Sequence, residues 1–214
     1  MKNIECKDSS CKEVKDCKSC SKVVYIRISQ FGDRTNEEWI SKVNSLYSQI
    51  ESEKNIKGVV LDLRNNPGGY LNDAVFIASE FIKSGVVVIQ ENGAGQRTEL
   101  KVSRDGLLLS SPLVVMINKG SASASEIVAG ALRDHKRAIL VGEDSYGKGT
   151  VQQAVDVENG ASLHISVAKW LTPNGTWIHK IGLKPDVKVV YDEKKSDKNG
   201  FDNQLMKAIE ELVN

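Results

Sequence analysis

The sequence lacks a long apolar run: nothing in its 214 residues approaches the ~20 consecutive apolar residues of a membrane-spanning helix. It also lacks an excess of charge of one sign. Lys+Arg is 29 and Asp+Glu is 28, a formal net charge of +1. That balance argues against nucleic acid as the main partner, because neutralising many phosphates takes a basic surplus. The first 22 residues have no apolar centre of the signal-peptide kind. The chain therefore reads as cytoplasmic, or as a form from which a targeting segment has been removed. Cysteine is absent after residue 20: Cys6, Cys11, Cys17 and Cys20 stand in the spacing C-x4-C-x5-C-x2-C. One C-x-x-C is a weak zinc pattern, and an even count permits two disulfides. A flexible polar tail is the first expectation, disulfides the second and zinc the third. No catalytic metal and no cofactor is expected.

What is present is an alternation of strands and helices, in a chain of ordinary composition at 40% hydrophobic and 27% charged. Residues 1–22 form a polar, cysteine-containing segment, 23–190 a core domain, and 191–214 a charged linker with a final helix packing on the core. Val23 to Ile28, Gly58 to Leu63, Val86 to Ile89 and Leu113 to Ile117 read as strands from their β-branched runs. So do Ala138 to Val141, Thr150 to Val157 and Ser162 to Trp170. Trp39, Ile40, Val43, Leu46, Tyr47 and Ile50 recur at helical spacing. Leu71 to Ile82, Ser123 to Asp134 and Phe201 to Val213 are the other expected helices. The alternation predicts an α/β fold with a largely parallel central sheet and flanking helices.

Two turns carry chemistry. Asn118 to Glu126 follows a buried strand and opens a helix, so Ser123 sits where free backbone N–H groups converge and can stabilise an oxyanion. The turn Pro67-Gly68-Gly69 also follows a buried strand and offers another backbone N–H. Taken alone, Ser123-x-x-Glu126 is a capping box of the kind any helix can use. Lys148 stands between Gly147 and Gly149. Most lysines are solvated surface charges, and a general base must instead be neutral, which burial achieves. Gly142 to Lys148 also matches part of a phosphate-binding loop. However, Gly149 stands where Ser or Thr would hold Mg²⁺, and a strand follows where a helix is needed. A histidine triad from His135, His164 or His179 is disfavoured: none has a glycine-rich context, and His135 cannot share a helix face with its neighbour Asp134.

Four segments together resemble the carboxyl-terminal processing peptidases, also called tail-specific proteases. They are Leu61 to Gly69, Gly120 to Glu126, Gly147 to Gln153, and Leu171 to Gly175 continuing to Gly182 to Asp186. They occur in that family's order and cover most of Val23 to Val190. The resemblance implies a crotonase-like ββα core and a serine endopeptidase that cleaves near the C-terminus of proteins. It implies Ser123 as nucleophile, Lys148 as base 25 residues later, and Gln152 as the residue that orients the lysine. Backbone N–H groups of Ala124 and of Gly68 or Gly69 are the implied oxyanion donors. Asp134 matches an acidic position that some members need, with a plain solvated carboxylate weighted equally.

The chain departs from the pattern in having no room for the PDZ domain that usually precedes or interrupts the core. Family members are usually exported to the periplasm or cell envelope, and no export signal is visible. Three function classes follow. The first is a reduced but active peptidase acting on proteins or peptides, with a homo-oligomer or a PDZ-supplying partner allowed. The second is a catalytically weak module that binds extended peptides by strand addition. The third is a scaffold that docks a subunit through Leu205, Ile209 and Leu212 of the last helix. A serine–lysine pair favours the first, since pure binding has no chemical need of it.

Overall fold

The most apolar runs of the sequence become strands covered on both faces. The computed structural model describes residues 2–7, 10–13, 21–157, 162–196 and 202–213, with the backbone alone at 2–7, 10–13, 154, 156 and 164. In chain order the elements are β1 (Lys2–Lys7), β2 (Ser10–Glu13), β3 (Ser21–Arg27), α1 (Thr35–Ser52), β4 (Ile56–Asp62), α2 (Leu71–Ala78), β5 (Val86–Asn92) and β6 (Arg97–Lys101). Then come β7 (Leu113–Ile117), α3 (Ala124–Asp134), β8 (Ile139–Gly142), β9 (Thr150–Asp156), β10 (Ser162–Leu171), β11 (Val187–Lys188) and α4 (Asn203–Val213).

The larger sheet has seven strands in the order β11-β8-β7-β4-β3-β1-β2. Its pairings from β11 through β3 are parallel, and β1 and β2 join antiparallel. Side chains alternate across each strand. In β4, Val59 and Leu61 enter one core while Val60 enters the other; in β7, Leu113, Val115 and Ile117 oppose Val114 and Met116. Burial on both faces explains why these strands read as unbroken apolar runs. Residues of α1, α2 and α3 cover the first face. On the second face α4 buries Leu205, Ala208 and Ile209, spaced i, i+3, i+4, against Val60, Val114, Met116 and Val141.

A buried polar cluster anchors the start of α4. Arg64 donates to Asp62, to Asp202 at 2.7 Å and to Gln204 at 2.9 Å. Tyr25 donates its hydroxyl to Asp62 at 2.7 Å. The smaller sheet, β6-β5-β10-β9, is antiparallel throughout and ends on β9 as an edge strand.

The structure differs from the sequence expectations in three places. Residues 2–7 and 10–13 form a hairpin on the edge of the large sheet, where a flexible tail was expected, with Cys6 the register partner of Cys11. The two strands hold a single β-branched residue, Ile4, too few to announce them. The disulfide and zinc expectations fall on Cys17, Cys20 and the side chains of Cys6 and Cys11, outside the described residues. The helix expected over 71–82 stops at Ala78. There Glu80 and Phe81 donate to carbonyls three residues back and Ser79 Oγ takes the Val75 carbonyl, which tightens the last turn. Finally, β11 adds two residues beside β8 where no strand was expected.

Candidate active site

The loops after β4, β7 and β8 meet at the C-terminal ends of these parallel strands, the usual place for a site in such a sheet. Asn66 joins the first two. It is fully buried; its amide donates to Ile28 O at 2.8 Å and its Oδ1 accepts Gly68 N–H at 2.9 Å. Its own carbonyl takes Ala122 N–H at 3.0 Å and Ser125 Oγ at 2.9 Å. Ser121 donates its hydroxyl to Leu63 O at 2.8 Å. Asn65 and Asn118 exchange two further bonds, of 2.8 and 2.9 Å.

This stitching sets Gly68 against Ser123. A side chain on Gly68, whose φ is +100°, would begin 2.7 Å from Ser123 Cβ and 2.9 Å from Ala124 N. Ser123 itself has φ 54° and ψ −116° as the N-cap of α3. A non-glycine residue held there costs about 1–3 kcal/mol, a cost that surrounding bonds must sustain and that clusters at working sites. Among the described residues the backbone N–H groups of Ala124 and Gly69 find no acceptor, whereas that of Gly68 is taken by Asn66.

Glu126 links the serine to the lysine loop. Its side chain is fully buried. Oε2 accepts the backbone N–H of Ser123 at 2.9 Å and that of Lys148 at 2.9 Å. Oε1 accepts Gly147 N–H at 2.6 Å and the Ser145 hydroxyl at 2.5 Å. The two backbone nitrogens thus share one oxygen, so they lie within twice 2.9 Å of each other. Sequence reasoning read Glu126 only as half of a capping box. Its reach to residues 145–148 depends on how the β8–β9 loop folds back, which no local pattern records.

Lys148 is half-buried, and among the described residues its ammonium forms no ion pair. It lines a pocket of about 490 Å³ with Tyr146, Gly147, Thr150, Gln152, Ser166, His179 and Lys180. Gln152 lies on β9 opposite Ser166. A larger recess of about 690 Å³ lies at the end of β3 and the start of α1 and shares no lining residue with the lysine pocket. Asp134 is not part of this assembly. It ends α3, roughly 16 Å from Ser123 at 1.5 Å per residue, and there accepts Asn174 N–H at 3.0 Å and Arg133 at 3.2 Å. His135 bonds the Val86 carbonyl at 2.7 Å. His179 is the exception to the expectation that no histidine has an active-site context: it lines the lysine pocket, and its Nδ1 is buried without a partner among the described residues. The segment 142–148 is no phosphate cradle, since it leads into β9 and spends the Gly147 and Lys148 N–H groups on Glu126.

A serine with positive φ at a helix start, free backbone donors beside it and a glycine-flanked lysine whose backbone N–H binds the same carboxylate thus meet at one end of the sheet. Comparison with known proteins gives the family. The model of Peptidase family S41 matches residues 22–189, and the chain belongs to that family. It is 40% identical over 164 residues to the carboxy-terminal processing protease CtpA of Bacillus subtilis (strain 168), covering 76% of this chain and 34% of that protein. It is 40% identical over 174 residues to the carboxyl-terminal-processing protease of Synechocystis sp. (strain ATCC 27184 / PCC 6803 / Kazusa), covering 81% and 39%. Among solved structures it superposes on the photosystem II D1 C-terminal processing protease with a TM-score of 0.73 and 33% identity, covering 86% of this chain and 46% of that one. The chain thus spans less than half the length of each of these relatives. Among the described residues no helix is long and apolar enough to cross a membrane.

Proposed function

We propose that this chain is the core of a serine endopeptidase in which Ser123 is the nucleophile and Lys148 its general base. Lys148 takes the Ser123 proton as Oγ attacks a peptide carbonyl. The tetrahedral oxyanion is held by the backbone N–H groups of Ala124 and Gly69, while Gly68, with its N–H already used, supplies the space. The amine leaves with a proton returned by Lys148, and water then hydrolyses the acyl-enzyme. Gln152 orients the lysine from the same pocket. The observation that carries the reading is the single Glu126 oxygen that binds the backbone of both Ser123 and Lys148.

Asp134 has a positioning task at most, through the turn at Asn174. The names of the related proteins support a preference for cleavage near substrate C-termini, and an extracytoplasmic location is proposed with it. Edge strand β9, which begins two residues after Lys148, suits an extended substrate added as one more strand. The same edge would serve the peptide-binding alternative, so activity decides between them. Casein digestion is the test: wild type cleaves it, and folded Ser123→Ala and Lys148→Ala both fail to. Cleavage surviving in either variant would refute the proposal.

A further inference from the structure

The loop carrying Lys148 is held by its carbonyls as firmly as by its amides. Lys180 N–H bonds Gly147 O at 2.8 Å, and Trp170 Nε1 bonds Lys148 O at 2.9 Å. Gly149 O accepts twice, from Trp170 N–H at 3.1 Å and from Trp177 Nε1 at 2.9 Å. Lys180 has φ 63°, a left-handed conformation that costs a non-glycine residue, where its N–H meets the loop. A side chain on Gly149 would begin 2.9 Å from Trp177 Nε1 and 2.9 Å from His179 N, so nothing separates the loop from these residues.

Of the two side-chain donors, Trp177 is the one that core packing does not explain. Trp170 is 1% exposed, whereas Trp177 is 43% exposed. The ring is nonetheless fixed from several sides. It stacks on His179 with centroids 5.3 Å apart and planes 17° apart. The Lys169 ammonium lies 5.5 Å from its centroid, an attractive arrangement for a cation and an indole. Lys169 is held in turn by Glu91 at 2.6 Å, which also takes Arg97 at 2.8 Å. A chain of contacts thus runs from the β5–β6 edge through Trp177 to Gly149.

We propose that Trp177 is a positioning residue for Lys148, its indole N–H fixing the Gly149 carbonyl and so the direction in which the lysine side chain leaves the loop. The proposal rests on the reading of Lys148 as general base. The physical need is plain. Glycines flank Lys148 on both sides and give its backbone wide freedom, while a misplacement of about 1 Å in a reacting group can cost ~100-fold in rate. Trp177 is not in the lining of the lysine pocket, so its effect belongs to the chemical step more than to substrate binding.

The test is Trp177→Phe in the full chain, which keeps a ring to stack and removes the donor. The expected result is a kcat lower by about 10–100-fold with KM within about twofold, because the defect is one of geometry. The thermal midpoint should fall by no more than the ~2–4 °C that one lost hydrogen bond brings. If Trp177→Phe does not fold, Lys169→Met weakens the support of the ring without touching the loop, and a smaller kcat loss at constant KM is expected. An unchanged kcat in the folded variant, or a loss carried wholly by KM, overturns the proposal. A wild type not silenced by Ser123→Ala or Lys148→Ala overturns the dyad reading and this proposal with it, so the two failures are distinguishable.

Discussion

Replacing Glu126 by Gln is the most informative single change to the frame of the site. The carboxylate accepts four donors, two at each oxygen. A glutamine side chain keeps the shape but turns one oxygen into a donor. Facing Ser123 and Lys148, that NH₂ group would meet two backbone N–H groups. Facing Gly147 and Ser145, it would meet one N–H and a hydroxyl that can turn to accept. The second orientation is the cheaper, and it still leaves Gly147 N–H buried without a partner. Losing one or two charge-assisted bonds at about 1.5–3 kcal/mol each, less what the Ser145 rotation recovers, destabilises the fold by about 2–4 kcal/mol. The remaining bonds keep Ser123 in place but loosen the lysine loop, so kcat falls by ~100-fold. Urea unfolding measures the first number, and the rate of Ser123 modification by a fluorophosphonate measures the second without needing a substrate. A variant with wild-type stability and wild-type labelling would show that Glu126 only caps a helix.

Other changes test other links. Gly68→Ala should abolish activity, since its Cβ would fill the space beside Ser123 and Ala124 N, and a peptide assay on the folded variant checks it. Asp202→Ala leaves Arg64 paired with Asp62 but removes its second carboxylate and the acceptor of Leu205 N–H, and should cost about 1.5–3 kcal/mol in urea unfolding, loosening α4 from the sheet. Burial, with the nearby Asp33 carboxylate, raises the Asp73 carboxyl above its ordinary value, against the bonds from Asn36 and Thr35. A raised carboxyl contributes stability that is complete below its unfolded value and is lost as pH rises through its folded value. At neutral pH the charged Asp73 is therefore a burden, and Asp73→Asn should raise the thermal midpoint at pH 7 but not near pH 3. An equal effect at both would contradict the sign.

Where a feature depends on apolar repetition, the sequence showed it. The doubly covered strands β4 and β7 and the stripe of α4 are examples, because burial on two faces or one stripe leaves a residue pattern of fixed period. The strands at residues 2–7 and 10–13 lie in a polar segment and left no such trace. The serine and lysine turns stood out because glycines and small residues gather where the chain bends sharply. What joins them did not stand out. Glu126 reaches the lysine loop across 22 residues of sequence, and Trp177 reaches it across 28. His179 was dismissed on its local context, yet chain folding brings it to the wall of the lysine pocket.

The central claim is that Ser123 is made nucleophilic by Lys148. Intact-mass measurement after incubation with a fluorophosphonate, followed by tryptic mapping, tests it most directly. The account predicts a single adduct on Ser123 within the peptide running from Gly120 to Arg133, forming at a rate that collapses in folded Lys148→Ala. An adduct on another residue, or equal labelling of Ser123 with and without Lys148, would contradict it.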